Sequence, residues 1–590
     1  MKKILAVLLC VCLLIPVGFV NPLTTEAEAF SIEDIILDSD NPAAVSKGIT
    51  DFLSTVVNTI LNIIAHVVPN FDFIRDDKIE ADTANFYTGN DTFIEPDGED
   101  YTWRVGYSSA SILPEDFGMP LKYARGSYAP WGYTTSVYKD EDGNDEDMKI
   151  RTVLLDDKTG RGITAICAVD CIGLSNVDVC TIREGVKELA ESIGIVSLNI
   201  SAIHSHMAID SQGVWDSPLS TIGNNMVSLK GVTKTRSGVD ADYLKKITES
   251  AKETIENAFN DMKDGTLGYT DIELDGYIGT RNGSPECDGN IHRISFYPSD
   301  GSKGTVLASF GAHPEVTSYG TEFDTRLSSD FVYYMEKLTN LDGKNFIYVQ
   351  GNVGTNSCGR SNSNDGLDID SHQSAMRYGY EMAYITLGAN LSLAERKELN
   401  EKLGDKLGIN TYGGNENYTP WYDGLGTFEE VPVEAVLNVK HSQIKFEIEN
   451  GTALLLIKLG LASNDISLDK ETGKYYTTTE IGYMEFGDTL KIFLSPGELY
   501  SELYVGGTGL RNSEIKSLRE VYGENVILFD LMNDAAGYVC PDETYGLIGY
   551  KYNPNDNSVT SDVWCLAVSI GKNTASVLMN DYAKLVESCR

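Results

Sequence analysis

Positive charge is scarce in this chain of 590 residues. Lys and Arg number 47 against 87 Asp and Glu, so the formal net charge at pH 7 is 47 − 87 = −40. A polyanionic surface repels phosphate backbones, which disfavours a nucleic-acid partner. No two cysteines stand in a C-x-x-C spacing, so a zinc cluster held by cysteines has no support. Internal repeats and long low-complexity linkers are also missing from the sequence.

The remaining composition is that of an ordinary globular protein. Hydrophobic residues make up 42% of the chain and charged residues 23%, which excludes bulk disorder. At about 100–200 residues per domain, the length allows three or four small domains, or one large and one small.

The N-terminus has the pattern of a secretory signal peptide. Lys2 and Lys3 precede an almost wholly apolar run, Ile4 to Val20, and Ala27-Glu28-Ala29 offers a small-x-small cleavage site. A membrane anchor is the alternative, but the apolar run is slightly short for a span. We therefore expect residues 1–29 to be removed and the protein to be secreted. For the eight cysteines that remain, the sequence predicts no specific disulfide.

Residues 30–80 are predicted to form a separate amphipathic helical segment. Apolar residues recur at helical spacing over residues 49–68, and Asp51, Ser54, Asn58 and Asn62 fall on the opposite side. Packing of this helix on the main domain is the favoured interpretation. The alternatives are a flap over an apolar substrate and a transient contact with a membrane surface. Attraction to anionic lipid is weak, because no Lys or Arg stands between Lys47 and Arg75.

Residues 81–590 alternate short β-type runs with helical runs. This alternation predicts one large catalytic domain of the α/β (mixed α+β) class, with a buried sheet flanked by helices. Residues 139–147 are strongly acidic, but their spacing misses the EF-hand pattern, so a solvated hairpin tip is the favoured interpretation. The predicted elements are strands over 150–155, 162–169, 195–203, 305–310, 345–349 and 489–494, helices over 181–193, 240–262 and 370–391, and a strand-rich stretch over 443–459.

The seven histidines include a pair at a predicted strand end. His204-Ser205-His206 directly follows the strand over 195–203, and at period two both imidazoles are expected to point to one face. His313 follows another buried strand and precedes Pro314. Such histidines suit a metal site, or one ligand plus one acid/base group. Hydrogen-bonded core histidines are the alternative.

Several segments, taken in order, resemble the neutral/alkaline (non-lysosomal) ceramidases. Ser201-Ala-Ile-His-Ser-His206 is similar to their S-x-T-H-T-H segment, and the resemblance spans about Arg104 to Tyr550. The other similar segments are Arg104 to Pro114, Val169 to Leu174, Gly311 to Pro314, Leu327 to Phe331, Val349 to Asn356, Leu494 to Glu498 and Asn533 to Tyr545.

The resemblance implies a zinc amidohydrolase with one zinc ion per chain. It places His204, His313, Glu498 and Tyr538 on the metal and His206 beside the metal-bound water and the substrate. Imidazoles, a carboxylate and a phenol are ligands suited to Zn²⁺. Zinc lowers the pKa of a bound water toward about 7, which would supply a nucleophile for an amide carbonyl.

The resemblance also implies roles for four residues in binding and catalysis. Tyr538 and Tyr550 would stabilise the developing oxyanion. His206 would pass a proton to the leaving amine. Arg281 would orient a polar headgroup or a substrate oxygen.

Departures from the family's pattern lie in its substrate-binding part. Met207 stands where the family has a small residue, Thr355 where it has an aspartate, and Lys551 where it has a glutamate. Only forty residues follow Tyr550, so we expect no C-terminal immunoglobulin-like domain of the kind ceramidases carry. The expected substrate is ceramide or another N-acyl lipid. The alternatives are a non-sphingolipid amide or ester on the same scaffold, and an inactive cell-surface binding protein.

Overall fold

Most of the residues from Pro42 onward are described by a computed structural model. The predicted signal segment, residues 1–29, lies outside them. The described residues are 42–70, 74–76, 85–98, 100–114, 121–124, 133–134, 136–213, 222–223, 225–227, 239–274, 276–280, 287–318, 326–359, 369–408, 419–506, 515–542, 545, 549–553, 558–562 and 569–589.

Strands dominate the described chain. The first half holds β1 (Ile74–Asp76), β2 (Trp103–Ser111), β3 (Leu121–Ala124), β4 (Tyr133–Thr134), β5 (Ser136–Val137), β6 (Lys149–Asp156), β7 (Ile163–Val169), β8 (Ile195–Ala202), β9 (Ala208–Ile209), β10 (Lys263–Glu273), β11 (Ile278–Thr280), β12 (Asn290–Pro298) and β13 (Thr305–Phe310). The second half holds β14 (Arg326–Leu327), β15 (Asn345–Gln350), β16 (Asn356–Cys358), β17 (Val431–Val433), β18 (Leu437–Glu447), β19 (Ile466–Leu468), β20 (Tyr475–Phe486), β21 (Leu490–Leu494), β22 (Glu498–Leu499), β23 (Val526–Phe529), β24 (Tyr538–Val539), β25 (Gly549–Asn553) and β26 (Ser558–Asp562).

Helices lie between the strands and cover them. They are α1 (Pro42–Val67), α2 (Asn176–Ile193), α3 (Ala241–Asp261), α4 (Phe331–Leu341), α5 (Ser371–Gly388), α6 (Leu393–Leu403), α7 (Gly451–Lys458), α8 (Ser501–Tyr504), α9 (Leu518–Tyr522) and α10 (Thr574–Glu587). Among the described residues, no helix is both long enough and apolar enough to cross a membrane.

Polar residues directly before the helices fix where they begin. The Asp240 carboxylate accepts hydrogen bonds from the backbone N–H groups of Asp242 and Tyr243, both at 3.0 Å, at the start of α3. Asp370 and Gln373 form a capping box at the start of α5. These side chains satisfy N–H groups that have no partner within the helix. The predicted starts of both helices are therefore confirmed within one residue.

The larger of two main sheets has nine strands in the order β15-β13-β12-β10-β2-β6-β7-β8, with β17 paired to β10. Most neighbouring pairs are antiparallel, but β7 with β8 and β13 with β15 are parallel. Helices α2 and α3 cover one face of β6, β7 and β8 in an apolar cluster. This mixed sheet confirms the predicted class, a buried sheet flanked by helices.

The larger sheet curls so strongly that its two ends meet. Five strands separate β8 from β13 in the order, which in a flat sheet would place them about 29 Å apart. Yet the rings of His204 and His313, which follow these two strands, have centroids 4.8 Å apart. The end strands β8 and β15 also have Cα atoms within 8 Å of each other. The curl therefore brings residues from distant strands to one place.

The second sheet packs against the first and supplies another part of the site. Its order is β1-β19-β20-β21-β23, with β18 paired to β20. Phe486, Ile492 and Phe529 from this sheet are buried in one apolar cluster with Trp103 and Phe296 of the larger sheet. The other face of the second sheet packs against α7 and α10.

One sequence prediction needs correction and another is confirmed. Residues 443–459 were predicted to be strand-rich throughout, but β18 ends at Glu447 and Gly451–Lys458 is the helix α7. The side chain of Asn450 starts α7 by accepting from the backbone N–H of Thr452 at 2.9 Å. The helix predicted over 49–68 exists as α1, and its favoured packing on the main domain is confirmed: Ala65 and Val68 are buried in one apolar cluster with Leu455 of α7, and Asn58 and Asn62 donate to the carbonyl oxygen of Glu449.

Candidate metal centre

Three of the residues that the sequence predicts to bind a metal follow strands of both main sheets. His204 comes two residues after β8 and His313 three residues after β13. Glu498 comes four residues after β21 of the second sheet and opens the short strand β22. Because the larger sheet curls and the second sheet packs on it, these segments meet at one point.

His204 has a left-handed backbone conformation, with φ of 70°. Its N–H donates to the carbonyl oxygen of Cys171 at 3.0 Å, which holds the chain in this turn. Such a conformation costs a residue with a Cβ on the order of 1 kcal/mol and persists only where surrounding contacts impose it. The rings of His204 and His206 do come together, with centroids 4.8 Å apart. However, the two rings come together because the chain turns at His204. The sequence had predicted that they would do so through the alternation of side chains along an extended strand.

The two buried histidines are oriented by backbone carbonyls. The Nδ1 atom of His204 lies 2.7 Å from the carbonyl oxygen of Ile172, and that of His313 lies 2.7 Å from the carbonyl oxygen of Asn356. A carbonyl can only accept, so each Nδ1 carries the proton and each Nε2 keeps its lone pair. This is the arrangement that prepares a histidine to bind a metal through Nε2.

The imidazole Nε2 atoms and the Glu498 carboxylate oxygen, which could each donate a lone pair to a metal, lie close together. The Nε2 atoms of His204 and His206 are 3.3 Å apart, and Glu498 Oε2 lies 3.5 Å from Nε2 of both His204 and His313. Two atoms bound tetrahedrally at 2.0–2.1 Å from one zinc ion are about 3.3 Å apart. Imidazole nitrogens with a carboxylate oxygen also form a donor set that zinc prefers. The residues present therefore fit a zinc ion.

Glu498 is held as a carboxylate. Burial, which leaves 7% of Glu498 exposed, raises the pKa of its carboxyl group. The imidazoles of His204 and His313 lower this pKa by more, so it lies well below the usual range. A carboxylate is the form of this side chain that binds a cation.

Asp530 connects the segments that carry two of these residues. One of its carboxyl oxygens, Oδ2, accepts from the backbone N–H of Val353 at 2.9 Å and from that of Leu499 at 3.1 Å. Leu499 follows Glu498, and Val353 lies in the loop whose Asn356 carbonyl orients His313. Asp530 was not among the residues predicted from the sequence. The sequence feature that could have revealed Asp530 is its position directly after the apolar strand β23.

The same loop makes close backbone contact with β22. A Cβ atom at Gly354 would lie 2.4 Å from the carbonyl oxygen of Leu499, so only glycine fits there. The Nδ2 group of Asn352 donates to this carbonyl at 2.6 Å. Thr355, a departure from the ceramidase pattern, accepts from the backbone N–H of Ser501 at 3.0 Å. The loop and β22 are thus fixed against each other.

The other predicted site residues are placed to different extents. Tyr538 is buried and lies directly beside Glu498, because β22 and β24 pair in parallel with these two residues in register. Met207, the residue after His206, is fully buried. Arg281 lies outside the described residues. The backbone of Tyr550 lies in β25, but its side chain is outside what the structure describes.

A cluster of three carboxylates lies at the predicted hairpin tip, residues 139–147, and a lysine side chain balances its charge. Asp140, Glu141 and Asp142 lie close enough together to hold an ion. The ammonium group of Lys337 contacts all three carboxylates, at 2.7, 3.1 and 2.8 Å. A protein cation therefore occupies the position that a metal would take, in agreement with the predicted hairpin tip.

Two solved structures share the fold of this chain. One is a neutral ceramidase from Pseudomonas aeruginosa, which is 15% identical; the match covers 83% of this chain and 74% of that chain, with a TM-score of 0.52. The other is a ceramidase complexed with C2, which is 14% identical; the match covers 83% of this chain and 75% of that one, with a TM-score of 0.53. No family model and no curated protein sequence matches the chain. The ceramidase resemblance found in the motifs is thus confirmed for the fold.

Proposed function

We propose that this protein is a zinc-dependent hydrolase that cleaves the amide bond of ceramide or another N-acyl lipid. The observation that carries the proposal is the position of Glu498 Oε2, which lies 3.5 Å from Nε2 of both His204 and His313. The fold shared with two ceramidase structures supports the choice of substrate class.

His204, His313 and Glu498 would hold one zinc ion, with the Tyr538 phenol as a further ligand. When bound, zinc polarises a carbonyl oxygen and lowers the pKa of water toward about 7. The backbone carbonyls of Ile172 and Asn356 keep the two imidazoles in the tautomer that binds through Nε2. These orienting groups are part of the site, because without them the rings could rotate away.

His206 would move the proton. It is more exposed than His204 and His313, so its ring borders the space where a substrate would enter. Its Nε2 would take a proton from the attacking water and give it to the nitrogen of the leaving amine. On the ceramidase resemblance, Tyr538 and Tyr550 would donate hydrogen bonds to the developing oxyanion, and Arg281 would hold a polar part of the substrate.

Metal content and hydrolysis measured together test the proposal. We expect about one zinc ion per chain by mass spectrometry of the purified protein, and release of fatty acid from a fluorescent N-acyl-sphingosine. His204→Ala and Glu498→Gln should lose the metal and lower the rate by at least about 100-fold. The matched control is His66→Ala, which removes an exposed histidine from α1 and should change neither quantity.

The two parts of the proposal can fail separately. Full zinc content and full rate in His204→Ala would show that the metal role is wrong. A zinc-loaded protein that hydrolyses none of a panel of N-acyl lipids would keep the metal role and reject the substrate. In that case, esters and non-lipid amides would be the next substrates to assay.

A further inference from the structure

Helix α1 has a row of aliphatic side chains that faces solvent. Val56, Ile60, Ile63 and Val67 are 39, 52, 63 and 63% exposed, and Val57 beside them is 39% exposed. Single exposed aliphatic residues are normal on a protein surface, but a continuous row of them marks an interaction surface. We refer to these five residues as the α1 seam.

The polar side of α1 is fixed against the domain, so the helix cannot turn to bury the seam. Asn58 and Asn62 each donate through Nδ2 to the carbonyl oxygen of Glu449, at 3.0 and 3.1 Å. The Oδ1 atom of Asn58 accepts from the backbone N–H of Gly451, the first residue of α7, at 2.8 Å. Rotating α1 would break all three hydrogen bonds and would expose Ala65, which is now fully buried.

The spacing of the seam is that of a helix pair. Steps of 4, 3 and 4 residues lead from Val56 to Ile60, Ile63 and Val67, and in the sequence Leu53 and Ile49 extend the same pattern by steps of 3 and 4. This is the a and d repeat of a coiled coil over more than two heptads. Such a narrow stripe matches one partner helix. A helix that lies on a membrane instead needs a wider apolar face with Lys and Arg beside it.

The seam is also free of charge on a chain of net charge −40. The sixteen residues from Phe52 to Val67 contain no Asp, Glu, Lys or Arg. Two copies of the chain repel each other over most of their surfaces, but two such helices bring no carboxylates together. Isologous contact, in which the same patch on both subunits pairs across a two-fold axis, is also the commonest way for a chain to associate with itself.

We propose that α1 pairs with α1 of a second copy of this chain, which makes the protein a homodimer. The two domains would lie on opposite sides of the helix pair, because the seam faces away from the domain that anchors it. This inference does not depend on the proposed hydrolase function, and its test measures no catalysis.

Sedimentation velocity over a range of protein concentrations tests the pairing. We expect a dimer for the unmodified chain and a monomer for Ile60→Lys and Ile63→Lys, with unchanged circular dichroism. The matched control is Leu393→Lys, which alters an aliphatic residue of similar exposure, 49%, on α6 and should leave the dimer intact. A chain that is monomeric at every concentration, or a dimer that survives both seam substitutions, would overturn the proposal.

Cross-linking and vesicle binding provide a second measurement. Mild oxidation should link Ile60→Cys into a covalent dimer, while Leu393→Cys should not link. If the unmodified chain is instead a monomer that floats with phosphatidylcholine vesicles, and Ile60→Lys abolishes flotation, the seam binds lipid and the dimer proposal is wrong.

Discussion

Replacing Asp530 tests the backbone segments that hold the proposed metal ligands without changing any of those ligands. The carboxyl group of Asp530 acts on the backbone: one of its oxygens accepts hydrogen bonds from two backbone N–H groups, those of Val353 and Leu499. Asp530→Ala removes that acceptor, and both amides stay buried because Val353 and Leu499 are fully enclosed. The segments carrying Glu498 and orienting His313 then lose their shared anchor.

The structure sets the size of the effect. A buried N–H group that loses its acceptor costs about 1–3 kcal/mol, so the two amides together cost roughly 2–6 kcal/mol of folding free energy. Misplacing groups that orient metal ligands weakens metal binding by about 10- to 100-fold. Asp530→Asn should avoid both losses. Burial raises the pKa of Asp530 well above its usual range, which favours the neutral carboxyl group, and an amide of the same shape can accept the same bonds.

Urea unfolding of the metal-free protein measures the first quantity, and competition with a chromophoric zinc chelator measures the second. We expect Asp530→Ala to lower both the stability and the zinc affinity, and Asp530→Asn to keep both near the unmodified values. If Asp530→Ala is as stable as the unmodified protein, the two hydrogen bonds contribute nothing. If the Asn variant is as damaged as the Ala variant, Asp530 acts through a negative charge and the neutral-acid explanation is wrong.

Two further predictions concern buried groups away from the site. Arg183 forms a two-bond ion pair with Glu480, at 2.7 and 2.8 Å, with both side chains at most 1% exposed; Arg183→Met should lower the urea-unfolding free energy by about 3–5 kcal/mol. Burial raises the pKa of Asp534 to about 7, so its contribution to stability is full below about pH 4 and is lost as the pH rises through 7. Asp534→Asn should therefore show a smaller drop in melting temperature between pH 5 and pH 8.

Sequence patterns predicted the elements whose periodicity was strong. The helix over 240–262 and the strand over 305–310 have clear polar boundaries, and the structure matches them closely. Helix α7 was missed because its centre, Ala453–Ile457, is uniformly apolar, which gives no period to distinguish a helix from a strand. Packing of α1 on the domain was predicted, but the part that Asn58 and Asn62 play in it was not, because their acceptor Glu449 is distant in the sequence.

The site could be predicted only where a motif marked it. His204, His313 and Glu498 stand in short recognisable segments, and the structure brings them together. Asp530 has no motif around it, and its partners Val353 and Leu499 are far from it in sequence. The curl of the larger sheet, which decides that β8 and β13 meet, depends on packing between distant strands and has no local signal.

The position of the metal centre along the chain has a consequence for biosynthesis. Residue 313 follows residue 204 by 313 − 204 = 109 positions, and residue 498 follows residue 313 by 498 − 313 = 185. At about 5–20 residues per second, a ribosome needs roughly 15–60 s to make the chain between the first and the last of these ligands. Just before then the nascent chain carries every described strand of the larger sheet but lacks Glu498 and β22. The proposed ligand set is therefore complete only when about five-sixths of the chain has been made, so an ion held by all of its members would bind late in synthesis or after it.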